Sequence, residues 1–104
     1  MRLLNTLTNQ KEEFKPLKNR QVSIFVCGPT VYDYYHIGHA RTYVIFDAIA
    51  KYLKHKGYKV KFVMNITDID DKIIDRAKEE GKTWKEAAEF YEKEFMNDIE
   101  NLSI

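Results

Sequence analysis

The pattern of apolar residues changes period twice between residues 22 and 64, and that double change leaves few architectures open. Val22-Ser-Ile-Phe-Val26 is a short run rich in β-branched and aromatic residues, the composition of a buried strand. Cys27-Gly-Pro-Thr30 supplies the Gly and Pro that end a strand and open a loop. From about Gly38 the spacing becomes helical: Ile45, Ile49 and Leu53 lie four apart, with Phe46 and Ala50 beside them. Lys51, Lys54, His55 and Lys56 fall near the carbonyl end of that helix, where cations suit its dipole, and Gly57 is a natural stop. Tyr58-Lys-Val-Lys-Phe-Val-Met64 then alternates as a second strand. Strand, helix and strand at this spacing predict a βαβ unit with parallel strands and a right-handed crossover.

The flanks are less constrained. Residues 1–20 are polar with one proline, Pro16, and predict an irregular or short-stranded lead-in. After the second strand, Ile69, Ile73 and Ala77 lie four apart and predict a helix from Asp68 to Glu80, with Thr67 as its N-cap and Gly81 closing it. Thr83-Trp-Lys-Glu86 reads as a capping box. Beyond it Trp84, Ala88, Tyr91, Phe95, Ile99 and Leu102 predict a helix of roughly 20 residues, about 30 Å long. A compact chain of this size has a radius of gyration of only about 13 Å. So long a helix, with so generous an apolar stripe, reads as part of a larger unit. No repeat, linker or low-complexity block divides residues 1–104, so no internal boundary is expected.

Composition removes several function classes. With 44% hydrophobic and 13% aromatic residues, the 104-residue chain is not a disordered tail. A formal charge of +1 excludes a histone-like blanket of positive charge. One cysteine cannot make an internal disulfide, no run approaches the ~20 apolar residues of a membrane span, and no signal-peptide layout is visible. A cytoplasmic protein without membrane partners is the expectation.

The segment Cys27 to His39 carries the chemistry. It leads from the end of the first strand into the helix, and in open α/β sheets ligands bind beyond the carboxyl ends of the strands. A helix N-terminus adds unpaired N–H groups and a partial positive charge, which suits phosphate. His36 and His39 flank Gly38 at that terminus; two imidazoles can donate to phosphate oxygens, and the glycine lets a flat base approach. The plainer alternative is that the histidines cap the helix or face solvent while Gly38 sets a turn. Cys27, read alone, is a small buried residue after a strand.

Three blocks taken together narrow this. Cys27-Gly-Pro-Thr-Val-Tyr-Asp33, His36-Ile-Gly-His-Ala-Arg41 and Asn65-Ile-Thr-Asp-Ile-Asp-Asp-Lys-Ile-Ile74 resemble, in order and spacing, the N-terminal motifs of the cysteinyl-tRNA synthetase family of class I enzymes. The lead-in Asn5-Thr-Leu-Thr8 and Lys11-Glu-Glu-Phe-Lys-Pro16 matches too, so the resemblance spans essentially the whole chain.

The resemblance implies a partial Rossmann-type nucleotide-binding fold, a βαβ unit followed by two helices, forming the N-terminal portion of a catalytic domain. It implies ATP-dependent activation of cysteine and its ligation to tRNA(Cys), with ATP, cysteine and tRNA(Cys) as partners and ATP used with magnesium. His36, Gly38 and His39 inherit ATP binding; Gly28, Thr30 and Thr67 line the cysteine pocket. Cys27 becomes one of four ligands of a zinc ion that takes the substrate thiolate, which a serine hydroxyl matches poorly. The other three ligands lie downstream in the family, as does the Lys-Met-Ser-Lys-Ser loop. The isolated chain is therefore expected to be inactive as a ligase. Turn, loop and N-cap roles remain the alternatives for Gly28, Thr30 and Thr67. Asp68, Asp70, Asp71 and Asp75 are expected to favour a helix N-terminus and a solvated face rather than a metal. Lys51, Lys54, Lys56, Lys59 and Lys61 form a basic stretch read as solvated rather than tRNA-bound, and Tyr32, Tyr34 and Tyr35 are read as loop packing. Three other readings stay open: the cysteine ligase of mycothiol synthesis, a small cytidylyl- or adenylyltransferase, and a stand-alone binding module.

Overall fold

The computed structural model describes residues 1–104 as seven elements. A hairpin of β1 (Arg2–Asn5) and β2 (Gln10–Glu13) precedes β3 (Gln21–Val26), α1 (Ile37–His55), β4 (Lys59–Met64), α2 (Asp71–Glu80) and α3 (Trp84–Asn101). β3 and β4 pair in parallel, with Gln21 opposite Lys59 and Val26 opposite Met64, so the βαβ expectation holds. The lead-in is short-stranded: β1 and β2 pair antiparallel, and Asn9 turns the chain at φ 54°. This hairpin joins neither strand of the parallel pair. Phe14, just after it, meets Tyr58 edge to face at 5.9 Å.

Alternation gives the parallel sheet two unlike faces. Ile24, Val26, Phe62 and Met64 pack inward with Tyr43 and Phe46 of α1 and Phe95 and Ile99 of α3. Gln21, Ser23, Phe25, Lys59, Lys61 and Val63 point outward and are all exposed, Phe25 by 66%. A second cluster, Val31, Ile73, Ala88 and Tyr91, joins the loop after β3 to α2 and α3. Only 12 of 104 residues are buried, and the radius of gyration of 17.1 Å exceeds that of a compact chain this long. The elongated shape fits a segment that needs more chain to cover it.

The helix ends follow local chemistry, with one correction. α3 carries the expected capping box: Thr83 Oγ1 accepts from the Glu86 amide, and Glu86 Oε2 accepts from the Thr83 amide at 2.9 Å. α1 runs into Lys56, with Gly57 at φ 83°. α2, however, begins at Asp71, not Asp68, and its N-cap is Asp70, not Thr67. Asp70 Oδ1 accepts from the Lys72 amide at 3.0 Å. Thr67 is held elsewhere: its amide donates to Pro29 O at 2.9 Å, and its carbonyl accepts from the Val31 amide at 3.1 Å. Backbone pairing with the opposite loop outcompetes helix initiation, and Ile69 is left outside the helix, exposed.

Candidate active-site cleft

The cleft starts where the two parallel strands run out. Beyond Val26 and Met64 their loops stay paired, through the Thr67 bonds and a Thr30–Thr67 bridge. Asn65 locks this extension by accepting the Gly28 amide on Oδ1 at 3.0 Å. A Cβ on Gly28 would lie 1.7 Å from the Asn65 carbonyl oxygen, so only glycine lets the loops approach this closely. Asn65 opens the third motif block, and the resemblance implies no role for it. An amide side chain at a strand end opposite a glycine was the signal for it.

Above the strand ends lies a cleft of about 390 Å³, lined by loop 27–36, the first turns of α1, and residues of α2 and α3. Cys27, Gly28, Thr30, His36 and His39 all line it. Gly38 and Thr67 do not; they act from behind, through backbone and cap geometry.

His36 is the N-cap of α1: its Nδ1 accepts from the Gly38 amide at 3.1 Å. A Cβ on Gly38 would come within 2.9–3.0 Å of the His36 ring, so the glycine makes room for this cap. With Nδ1 accepting, the neutral ring carries its proton on Nε2, leaving that N–H as a donor. The His36 and His39 rings lie 3.9 Å apart between centroids. Burial, and then His36, hold the pKa of His39 below its usual 6.5, so it is neutral at pH 7. His39 therefore offers a hydrogen-bond donor rather than a fixed positive charge. Capping and ligand binding are compatible here, because they use different nitrogens of His36.

Tyr35 continues the stack below His39. Its ring lies 5.5 Å from His39 at 18° and 5.5 Å from Tyr43 at 4°, and meets Phe95 edge on at 5.3 Å. Tyr34 packs edge on against Phe90 and Tyr91. Tyr32 lies under the Lys72 ammonium, 5.3 Å from its ring centre. The floor is braced by Arg76, which donates to Tyr91 Oη at 3.0 Å and to Glu80 Oε1 at 2.7 Å, and reaches Asp33 at 3.5 Å. Lys82 and the Tyr91 hydroxyl, with lesser help from Arg76, bring the Glu80 pKa down to about 2.

The side chains at the cleft do not complete a zinc site. Cys27 is exposed and free, and no three His, Cys, Asp or Glu side chains gather closely enough to hold an ion. A protein zinc site takes three or four such ligands. One thiol does not complete a site, and these residues alone do not fit the ion. Of the acidic residues, Asp70 caps α2, Asp71 lies in its first turn and Asp75 pairs with Lys78 at 3.1 Å. In the basic stretch, Lys51 pairs with Asp47 at 2.6 Å and Lys56 lies over Tyr52. No helix is long and apolar enough to cross a membrane.

Comparison with known proteins gives this geometry a context. The family model described as the class I (C) tRNA synthetase catalytic domain matches residues 13–104. All 104 residues align at 61% identity with a cysteine--tRNA ligase of Pyrococcus furiosus and at 61% with one of Thermococcus kodakarensis. They align at 60% with one of Thermodesulfovibrio yellowstonii. The chain spans 21–22% of the length of these relatives.

Proposed function

The chain belongs to the class I (C) tRNA synthetase catalytic-domain family, and from that premise we propose that it forms the ATP- and cysteine-facing wall of a cysteine--tRNA ligase active site. On this reading residues 1–104 are the N-terminal part of a Rossmann-type catalytic domain. The observation that carries it is the convergence of Cys27, Gly28, Thr30, His36 and His39 on one cleft at the carboxyl end of a parallel strand pair. The whole protein would act in the cytoplasm on ATP, as its magnesium complex, on cysteine and on tRNA(Cys).

The reaction is an in-line attack of the cysteine carboxylate on the α-phosphorus of ATP. It forms the carboxyl–phosphate bond and releases pyrophosphate; a hydroxyl of the tRNA then takes the cysteinyl group as that bond breaks and AMP leaves. Such chemistry rests on positioning and on stabilising charge that moves over phosphate oxygens. His36 Nε2–H and the neutral His39 serve as donors at the N-terminal end of α1, whose dipole adds partial positive charge. Gly28, Thr30 and Thr67, tied together by the extended loop pairing, shape the cysteine side. Cys27 would contribute one thiolate to a zinc whose remaining ligands come from outside these residues.

The test is cysteine-dependent exchange of pyrophosphate into ATP by a protein of its relatives' length carrying this sequence, compared with its His39→Ala form. An interaction stronger in the transition state than in the ground state shows in the rate constant. Loss of one such donor is expected to slow activation by about a hundredfold, with cysteine affinity little changed. Weaker ATP binding at an unchanged activation rate would reduce His39 to a ground-state contact. Exchange with another amino acid in place of cysteine would overturn the substrate assignment.

A further inference from the structure

Four rings form one column through the site. Tyr43, buried among Val26 and Phe95, stacks on Tyr35; Tyr35 stacks on His39; and His39 tilts against the capping His36. The column links the sheet core to the two imidazoles that line the cleft. Its middle member stands out in a second way: the Tyr35 hydroxyl is buried with no hydrogen-bond partner. A phenol is usually retained in an interior for its hydroxyl, which normally finds a partner. Here the polar end has nothing to bond, and the ring makes three aromatic contacts.

We infer that Tyr35 is a positioning residue, its ring fixing the His39 imidazole, and through it the His36 pair, in the orientation presented to the cleft. His39 needs such support because no hydrogen bond to its side chain anchors the imidazole, whereas His36 is held by the Gly38 amide. Tyr35 lines the cleft beside His39, with its hydroxyl buried. The inference rests on the reading of His39 as a phosphate-facing donor only for its consequence in binding. The positioning itself is a property of this chain.

Two variants of the 104-residue chain separate ring from hydroxyl. Tyr35→Phe keeps the stack and removes the orphaned group; Tyr35→Leu keeps apolar volume and removes the stack. The first readout is the carbon-bound imidazole proton resonances of His39 by NMR. In the parent and in Tyr35→Phe they are expected to be displaced by the ring current of residue 35. In Tyr35→Leu they should move toward the positions of an unstacked histidine, while amide signals of β3, β4 and the second half of α1 stay in place. Stability should be no lower in Tyr35→Phe than in the parent. The second readout is ATP titration, where Tyr35→Leu should weaken binding by up to about tenfold, the scale of one aromatic pair, and Tyr35→Phe should not. His39 resonances unchanged in Tyr35→Leu would overturn the inference. So would a Tyr35→Phe chain that loses the His39 signature, since the hydroxyl would then be the active part. A parent chain that keeps the His39 signature but binds no ATP would count against the nucleotide role and leave the positioning established.

Discussion

Gly28→Ala is the substitution for which the fold leaves least room. The added methyl would sit 1.7 Å from the Asn65 carbonyl oxygen, 2.9 Å from its carbon and 2.9 Å from Met64 Cγ. Ordinary contact begins near 3.4 Å, so the two loops must part by about 1.7 Å. That parting breaks the Gly28–Asn65 bond at 3.0 Å, and with it the Thr67–Pro29 and Val31–Thr67 bonds at 2.9 and 3.1 Å. Three hydrogen bonds at about 1 kcal/mol each give a loss of about 3 kcal/mol. For a chain of this size that corresponds to a melting point lower by about 12–24 °C. Thermal denaturation followed by circular dichroism measures it. A control sharpens the argument: Asn65→Ala removes the side-chain acceptor but leaves the offending carbonyl in place. Gly28→Ala should therefore remain strongly destabilising in an Asn65→Ala background, since the clash is with backbone. A melting point within about 3 °C of the parent, or a penalty that vanishes when Asn65 is truncated, would refute the close-approach reasoning.

Other outcomes follow from the same geometry. Thr83→Ala should cost about 1 kcal/mol by opening the capping box of α3, read from urea denaturation, and a Thr83→Ser chain should recover most of it. Because the Glu80 pKa is lowered from 4.5 to about 2, its ion pairing stabilises the fold above pH 4.5 and is lost as pH falls toward 2. Melting points of the parent and of Glu80→Gln should accordingly differ at pH 6 and converge near pH 2. A Glu80→Gln chain with an unchanged acid profile would remove that residue from the account. The 104-residue chain should bind zinc weakly through its single thiol; stoichiometric metal in a monomer, abolished by Cys27→Ser, would contradict the donor count.

The βαβ core was legible because burial on one side imposes a period: Ile24, Val26, Phe62 and Met64 alternate. On α1 the spacing found Ala50 and Leu53, whereas Ile45 is exposed and the buried Tyr43 lies outside the face that the Ile45–Ile49–Leu53 spacing marked. α3 was legible from its capping box, which needs only four residues. The start of α2 was misread because Thr67 and Asp70 are both good caps. The deciding contact, with Pro29 and Val31, is nearly forty residues away in sequence. The hairpin could be placed only as short-stranded, since Gln10-Lys-Glu-Glu13 is exposed throughout and carries no alternation. Within the site, the resemblance supplied Cys27, His36 and His39, and the structure places all three on one cleft. It could not indicate that Gly38 clears space for the His36 cap, or that Tyr35 stacks on His39. Those depend on which way a loop turns its rings, and a loop has no period to read.

The outward face of the parallel pair bears on how this chain behaves in concentrated solution. Phe25 lies opposite Val63, Ser23 opposite Lys61 and Gln21 opposite Lys59, and each strand has one backbone edge without a partner strand. Open edges beside an apolar pair are the template on which chains add strand to strand, and edge lysines are the usual gatekeepers against it. Here two ammonium groups guard the patch in place of a covering helix. That protection is electrostatic, so it fades with ionic strength: at 1 M salt the screening length falls to about 3 Å. Colloidal stability can then fail while every hydrogen bond within the chain is intact.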